Sequence, residues 1–256
     1  MTSTTIERAV HRVIVDMQAN LGQDLTIDDM ARTAMFSKFH FTRVFRDVTG
    51  TSPGRFLSAL RLQEAKRLLL DTTFSVADIS SQVGYSSVGT FSSRFKACVG
   101  VSPSVFRELG GFTSAIDSDA GPEGDGPRTT LRGQVSLPES RSPGHCFVGL
   151  FPTPVPQGQP VRCTVLDGPG GFELRDIPAG TWYVLVHSVP YGSEDLPSGI
   201  GDEDTVSVGC YGPVTVHADT LLLPAEITLR PVGELDPPVL MALLDLRANA
   251  LEQAAG

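Results

Sequence analysis

Six residues of the N-terminal half recur at an offset of 50: Phe41, Phe45, Gly50, Ser52, Pro53 and Phe56 return as Phe91, Phe95, Gly100, Ser102, Pro103 and Phe106. Upstream, Ile27, Met30 and Ala34 return one residue short of that offset as Val76, Ile79 and Val83. Two copies at so long a period exclude a solenoid and require one helical module made twice. Whatever surface one copy offers, the other offers a version of it 50 residues later.

Each copy carries the punctuation of a helix pair. In the first, Thr26 followed by Asp28 and Asp29 is an N-cap with acidic residues in the first turn, where the helix dipole favours them. After a break near Met35 and Phe36, Ser37 can cap a second helix to about Val48, with Gly50 as its stop. Phe41, Val44, Phe45 and Val48 stand at i, i+3, i+4 and i+7 and form the stripe to be buried. In the second copy Ser75 opens VADISSQ, Gly84 turns the chain, and a helix starts near Ser86 or Ser87, burying Phe91, Phe95, Cys98 and Val99.

The other face of each second helix is where chemistry can sit. Phe39, Thr42, Arg43 and Arg46 share one side of the first, beside Lys38 and His40. Arginine grips guanine bidentately and an apolar ring can touch a thymine methyl, so this face suits a major groove, with the spare cations on phosphates. A solvated surface also looks like this, and an aromatic next to a capping turn often tucks into a core. His40 is expected at the surface or beside a phosphate rather than on a base. The second face, with Ser87, Val88, Gly89, Ser92, Ser93 and Lys96 and with Arg94 at its edge, is poorer in charge. It should read with hydroxyls and apolar contact and anchor through Arg94 and Lys96.

A net charge of −9 would argue against a polyanionic partner, but the charge is partitioned. Residues 1–111 carry 13 Lys and Arg against 10 Asp and Glu, a net +3, and the remainder carries a net −12. Only the first part is placed to face phosphates, and repulsion holds the second away. With 41% hydrophobic and 19% charged residues most of the chain should fold. No apolar run approaches the ~20 residues of a membrane span, and MTSTTIERAV is no signal peptide, so a cytoplasmic protein without membrane contact is expected. Cys98, Cys146, Cys163 and Cys210 form no CxxC pair and read as reduced thiols, Cys98 as a small core residue.

The texture changes after residue 111. FTSAIDSDAGPEGDGP, residues 112–127, reads as a flexible linker. Beyond it CFVGLF, RCTVL, TWYVLVHSV, TVSVGC and VTVHA lie between Gly and Pro clusters, which predicts an all-β domain over 128–236. A short helix from Val239 to Leu251 follows Pro237 and Pro238 within a final segment 237–256. Val239, Leu240, Leu243, Leu244 and Leu251 would give it an apolar side to cover the β domain. Trp182, Val184 and Val186 alternate inward, leaving Tyr183, Leu185 and His187 as a semi-apolar surface for a ligand, a partner subunit or that helix. His145, Cys146, Cys163, His187, Cys210 and His217 lack ligand spacing, so no metal and no cofactor are expected. No nucleophile elbow, HExxH or phosphate loop occurs, so no enzyme is expected either.

FSKFHFTRVFRDVTGTSPGRF, RLQEAKRLLL and VADISSQVGYSSVGTFSSRFKACVGVSPSVFR together resemble the AraC/XylS family over residues 7–109. The paired Phe-x-x-x-Phe helices, both Gly-x-Ser-Pro ends, the Arg-Leu-x-x-Ala-x-x-Leu-Leu connector and the Val-Gly-Tyr turn occur in order. The resemblance implies an all-α tandem helix-turn-helix unit of about seven helices. A connector over Pro53–Asp71 would hold two reading helices for successive major grooves. It implies base contacts for Phe39, Thr42 and Arg43, and for Val88, Gly89, Ser92 and Ser93. Where many members carry Arg this chain has Ser93, which shifts weight toward Arg94. Arg61 in the connector is expected in a structural ion pair.

The β domain resembles transthyretin-like, carboxypeptidase-regulatory-like domains through Arg132-Gly133-Gln134-Val135, Gly171-Phe172-Glu173-Leu174, Ile177-Pro178-Ala179-Gly180, Trp182-Tyr183-Val184 and Ile227-Thr228-Leu229. That implies a β-sandwich without transferable catalytic residues. The sequence therefore predicts a two-domain α + β chain: an N-terminal tandem helix-turn-helix domain and a C-terminal sandwich with a terminal helix. Its expected role is a DNA-binding transcription regulator, an activator, with double-stranded promoter DNA and RNA polymerase as partners. The sandwich would sense a small-molecule effector or assemble a homo-oligomer. The alternative is an architectural protein whose sandwich drives oligomerisation and whose helices only tether it to DNA.

Overall fold

A computed structural model describes residues 3–111, 129–158, 160–191, 206–217 and 221–240. They fall into two compact units, residues 3–111 with 233–240 and the residues between 129 and 232. The expected linker over 112–127 lies outside the described residues.

The first unit holds seven helices: α1 (Ser3–Ala19), α2 (Ile27–Ala34), α3 (Lys38–Thr49), α4 (Pro53–Asp71), α5 (Val76–Gln82), α6 (Val88–Val99) and α7 (Pro103–Glu108). Two reciprocal capping boxes start the corresponding short helices. The Thr26 hydroxyl accepts from Asp29 N–H and the Asp29 carboxylate from Thr26 N–H, and Ser75 and Asp78 do the same for α5. Ser87 caps α6 by accepting from Thr90 N–H at 3.3 Å. Ser37 has the extended backbone of an N-cap, but its side chain makes no cap bond, so α3 begins on backbone geometry alone. Helices α3 and α6 both stop at left-handed glycines, Gly50 (φ 73°) and Gly100 (φ 103°).

The repeated phenylalanines are the physical reason for the duplication. Phe41 packs edge-on against Phe45 and Phe45 against Phe56, each with ring centroids 5.5 Å apart. In the second copy Phe91 meets Phe95 at 5.7 Å and Phe95 meets Phe106 at 5.5 Å. All six rings are fully buried. The third ring of each set sits in the first turn of the helix after a Ser-Pro start, α4 or α7, so Gly-x-Ser-Pro delivers that ring to the stack. Helix α1, whose Val10, Val13, Ile14 and Met17 are buried, closes the first core.

Among its described residues the second unit holds eight strands in two sheets. These are β1 (Thr129–Ser136), β2 (Gly144–Phe151), β3 (Arg162–Leu166), β4 (Gly171–Ile177), β5 (Gly180–Pro190), β6 (Ser207–Val216), β7 (Ala225–Thr228) and β8 (Arg230–Pro231). One sheet runs β4-β1-β7, with β1 and β7 parallel, and the other runs β3-β2-β5-β6-β8, all antiparallel. Leu131, Val135, Phe172 and Ile227 from the first share one core with Val148, Leu150, Val184 and Val186 from the second. Gly209 marks the close approach, since a Cβ there would stand 2.5 Å from Ile227 Cγ2.

One expectation is corrected here. Leu185 and His187 do not present a surface; they are 9% and 8% exposed. Central strand β2, buried at all eight residues, pairs with both β3 and β5, and a sheet covered on both faces buries both sets of alternating side chains. Of the expected final helix only Val239 and Leu240 are described, and these two are not helical. Leu240 is fully buried and belongs to the helical unit. The rest of the expected helix lies outside the described residues.

Candidate nucleic-acid interface

The order α2, tight turn, α3 and its copy α5, tight turn, α6 define two helix-turn-helix units in tandem, and α4 connects them. In the first, Phe41, Val44, Phe45 and Thr49 bury one side of α3, and Val48 is half-buried. This turns Arg43 and Phe39 to the opposite side. Phe39 is 89% exposed, so it is not the core aromatic that its place beside a turn allowed. Arg43 and Arg46 are exposed with it. Arg43 Nη2 stands 3.4 Å from His40 Nδ1, and the His40 ring lies edge-on to Phe36 with centroids 4.8 Å apart. His40 thus braces the guanidinium rather than projecting beside it. The half-buried Thr42 donates its hydroxyl to Lys38 C=O at 2.9 Å, which leaves the oxygen as an acceptor. Lys38 pairs with Asp28 of α2 at 2.9 Å, an exposed ion pair of small worth that a phosphate can replace.

Helix α6 repeats the arrangement with less on it. Ser87, Val88, Gly89, Ser93 and Lys96 are exposed and Ser92 is half-buried, so they share the surface predicted for them. Arg94 is exposed too, but to one side. It occupies the position of Val44 in the first copy, on the flank toward α4, and its Nε donates to Ser58 Oγ at 3.3 Å. Ser58 in turn lies 3.2 Å from the Tyr85 hydroxyl. The residue expected to compensate for Ser93 therefore has a partner on the connector.

Arg61 is structural, as expected, but not through an ion pair. Its Nε donates to Leu21 C=O at 2.9 Å and its Nη2 to Gln23 C=O at 2.6 Å, and the guanidinium lies 6.0 Å from the Tyr85 ring centroid. Partial burial draws its pKa down, the opposing pull of Tyr85 and Asp24 notwithstanding. Two glycines make the joint possible. A Cβ at Gly84 would stand 2.4 Å from Leu21 C=O oxygen and 2.7 Å from Arg61 Nη2, and one at Gly22 would stand 2.8 Å from Gln82 C=O oxygen. The loop after α1 in the first copy and the turn after α5 in the second therefore meet at Arg61. Sequence reasoning missed this joint, because no periodicity marks residues that meet only across it.

It also missed Met35. At the turn where the second copy has Gly84 (φ 83°), the first has Met35 at φ 61°, left-handed and 84% exposed. A side chain there costs roughly 1 kcal/mol of backbone strain, and packing returns none of it.

In the other unit the scattered Cys and His residues do not converge. None of the four cysteines, all among the described residues, is in a disulfide. Cys163 and Cys210 share a cross-strand row with Gly149 and Leu185, which sets them about 14 Å apart at ~4.8 Å per strand. Cys146 faces the shared core, where burial pushes its thiol pKa up. Among the described residues no three His, Cys, Asp or Glu side chains gather as metal ligands, and no helix is long and apolar enough to cross a membrane.

The comparisons agree with the geometry. A family model described as a helix-turn-helix domain matches residues 30–109. The transcriptional activator AarP of Providencia stuartii is 35% identical over 98 residues, 38% of this chain and 73% of that protein. The probable transcription factor PqrA of Proteus vulgaris is 33% identical over 96 residues, 38% of this chain and 79% of that one. The transcriptional regulator Rob of Salmonella typhimurium is 30% identical over 147 residues, 57% of this chain but only 46% of Rob, so the chain spans less than half of that relative's length. The chain belongs to the AraC/XylS family of helix-turn-helix transcription regulators.

Proposed function

We propose that the chain is a sequence-specific activator of transcription in the cytoplasm, laying α3 and α6 in successive major grooves of an asymmetric promoter site and recruiting RNA polymerase. The observation that carries this reading is the exposed Phe39, Arg43 and Arg46 face of α3, set opposite a fully buried phenylalanine stripe. Phe39, Thr42 and Arg43 read bases in the first half-site, and Val88, Gly89, Ser92 and Ser93 in the second. Lys38, Arg46, Ser87 and Lys96 hold phosphates, and His40 holds Arg43. Arg94 holds the connector. The activator named among the relatives supports the sign of regulation.

The division into 1–111, a linker over 112–127 and a β domain is part of this reading. The two sheets and their shared core form a sandwich that senses a small-molecule effector or assembles copies of the chain. Footprinting of the full-length chain on its own genome, followed by titration of a recovered site, tests the proposal. Binding should weaken steeply with salt as counterions are released. Absence of any specific, salt-sensitive site overturns it, and oligomers that bind all sequences alike would favour the architectural alternative.

A further inference from the structure

The segment Gly233–Leu240 returns from the β region and packs as part of the helical unit. It is anchored at both ends. Glu234 pairs with His11 of α1 at 2.6 Å, and Leu235 packs on the first core. At the far end Leu240 is fully buried, and its C=O accepts from Lys66 Nζ at 3.2 Å. Lys66 lies in α4, is itself 4% exposed, and sets its ammonium 5.8 Å from the Phe106 ring centroid of α7. The segment thus runs from α1, which closes the first core, to the joint of α4 with the last ring of the second core. A buried ammonium is tolerated only where oxygen and aromatic partners replace water, so the carbonyl of Leu240 is part of what keeps Lys66 inside. Only Val232 separates this segment from strand β8.

We infer that Gly233–Leu240 is a clamp that sets the two helix-turn-helix units at the angle needed to engage both half-sites at once, with Leu240 and Lys66 as its positioning residues. The inference rests on the DNA-binding reading above for its consequence but not for its geometry. A clamp absent from the reading helices should leave each unit's own contacts intact and affect only their simultaneous use.

The test compares the full-length chain with Leu240→Arg on two duplexes, one with both half-sites and one with the first alone, and measures acylation of Lys66 by a succinimidyl ester. Leu240→Arg, which sets a like charge beside the Lys66 ammonium, should weaken binding to the two-half-site duplex about tenfold, leave the single half-site unchanged, and make Lys66 labelling faster. Equal loss on both duplexes, tighter binding, or unchanged labelling overturns the clamp. If the unaltered chain selects no DNA sequence, the DNA-binding reading falls, while the labelling still decides the clamp. Should Leu240→Arg fail to fold, Leu240→Ala carries the whole comparison, and Lys66→Met, which removes the labelled amine but keeps the length of the side chain, carries the DNA comparison alone.

Discussion

The two helix-turn-helix units use the same aromatic core and spend their surfaces differently. The first exposes Phe39, Arg43 and Arg46 where the second exposes Gly89, Ser93 and Lys96, and it buries Val44 where the second sends Arg94 to the connector. At the turn the exchange runs the other way: the second has the unstrained Gly84, packed against Arg61, and the first has an exposed, left-handed Met35. Duplication preserved what folds the module, and the outward positions and the joint diverged. One unit has the outward face richer in arginine, and the other has the better-seated turn.

Substitutions at equivalent positions break or sharpen that contrast. The largest effect should come from Gly84→Ala, which forces a Cβ against Leu21 and Arg61 and strains the backbone; chemical denaturation should show a loss of about 3 kcal/mol. A loss below ~1 kcal/mol would mean the joint is loose. Next, Arg43→Ala should weaken specific DNA binding by about 2 kcal/mol, roughly 30-fold. Ser93→Ala, removing one hydroxyl, should cost less than ~1 kcal/mol. The reverse order in a titration would make the second unit the reader.

Smaller changes probe stability. Met35→Gly should raise it by about 1 kcal/mol by relieving the left-handed turn, and a decrease would show that the side chain packs after all. Ser80 is fully buried in α5 with no hydrogen-bond partner for its hydroxyl, where the first copy has Ala31. Ser80→Ala should therefore stabilise by up to about 1 kcal/mol. The least effect is in acid. The Thr26 hydroxyl first, then the Thr26 N–H and Arg32, hold the Asp29 pKa below its ordinary value. A depressed pKa contributes stability above the unfolded carboxylate range, near pH ~4, that is lost as pH falls through the folded value. Asp29→Asn should flatten the acid limb of a denaturation series, and an unchanged limb would show that this cap is not what titrates.

The repeat, the caps and the stop glycines were legible because each is a local pattern: helix periodicity places Phe41 and Phe45 on one side and so assigns Arg43 to the other. Strand alternation likewise announced the β unit, and the inward residues Val184 and Val186 are where it put them. The outer face of β5 was misjudged, since alternation says which residues share a face but not whether that face is covered.

By itself, then, the sequence determined the duplicated helical module, the two surfaces it offers and the change to β structure beyond residue 111, all consequences of spacing and backbone preference over a few turns. Only the tertiary structure decided that Arg94 turns to Ser58, that Arg61 binds carbonyls 38 and 40 residues away, and that Leu240 lies over Lys66 174 residues upstream. A guanidinium or ammonium will take any carbonyl or hydroxyl within reach, so its partner is settled by which chain segments the packed core brings together.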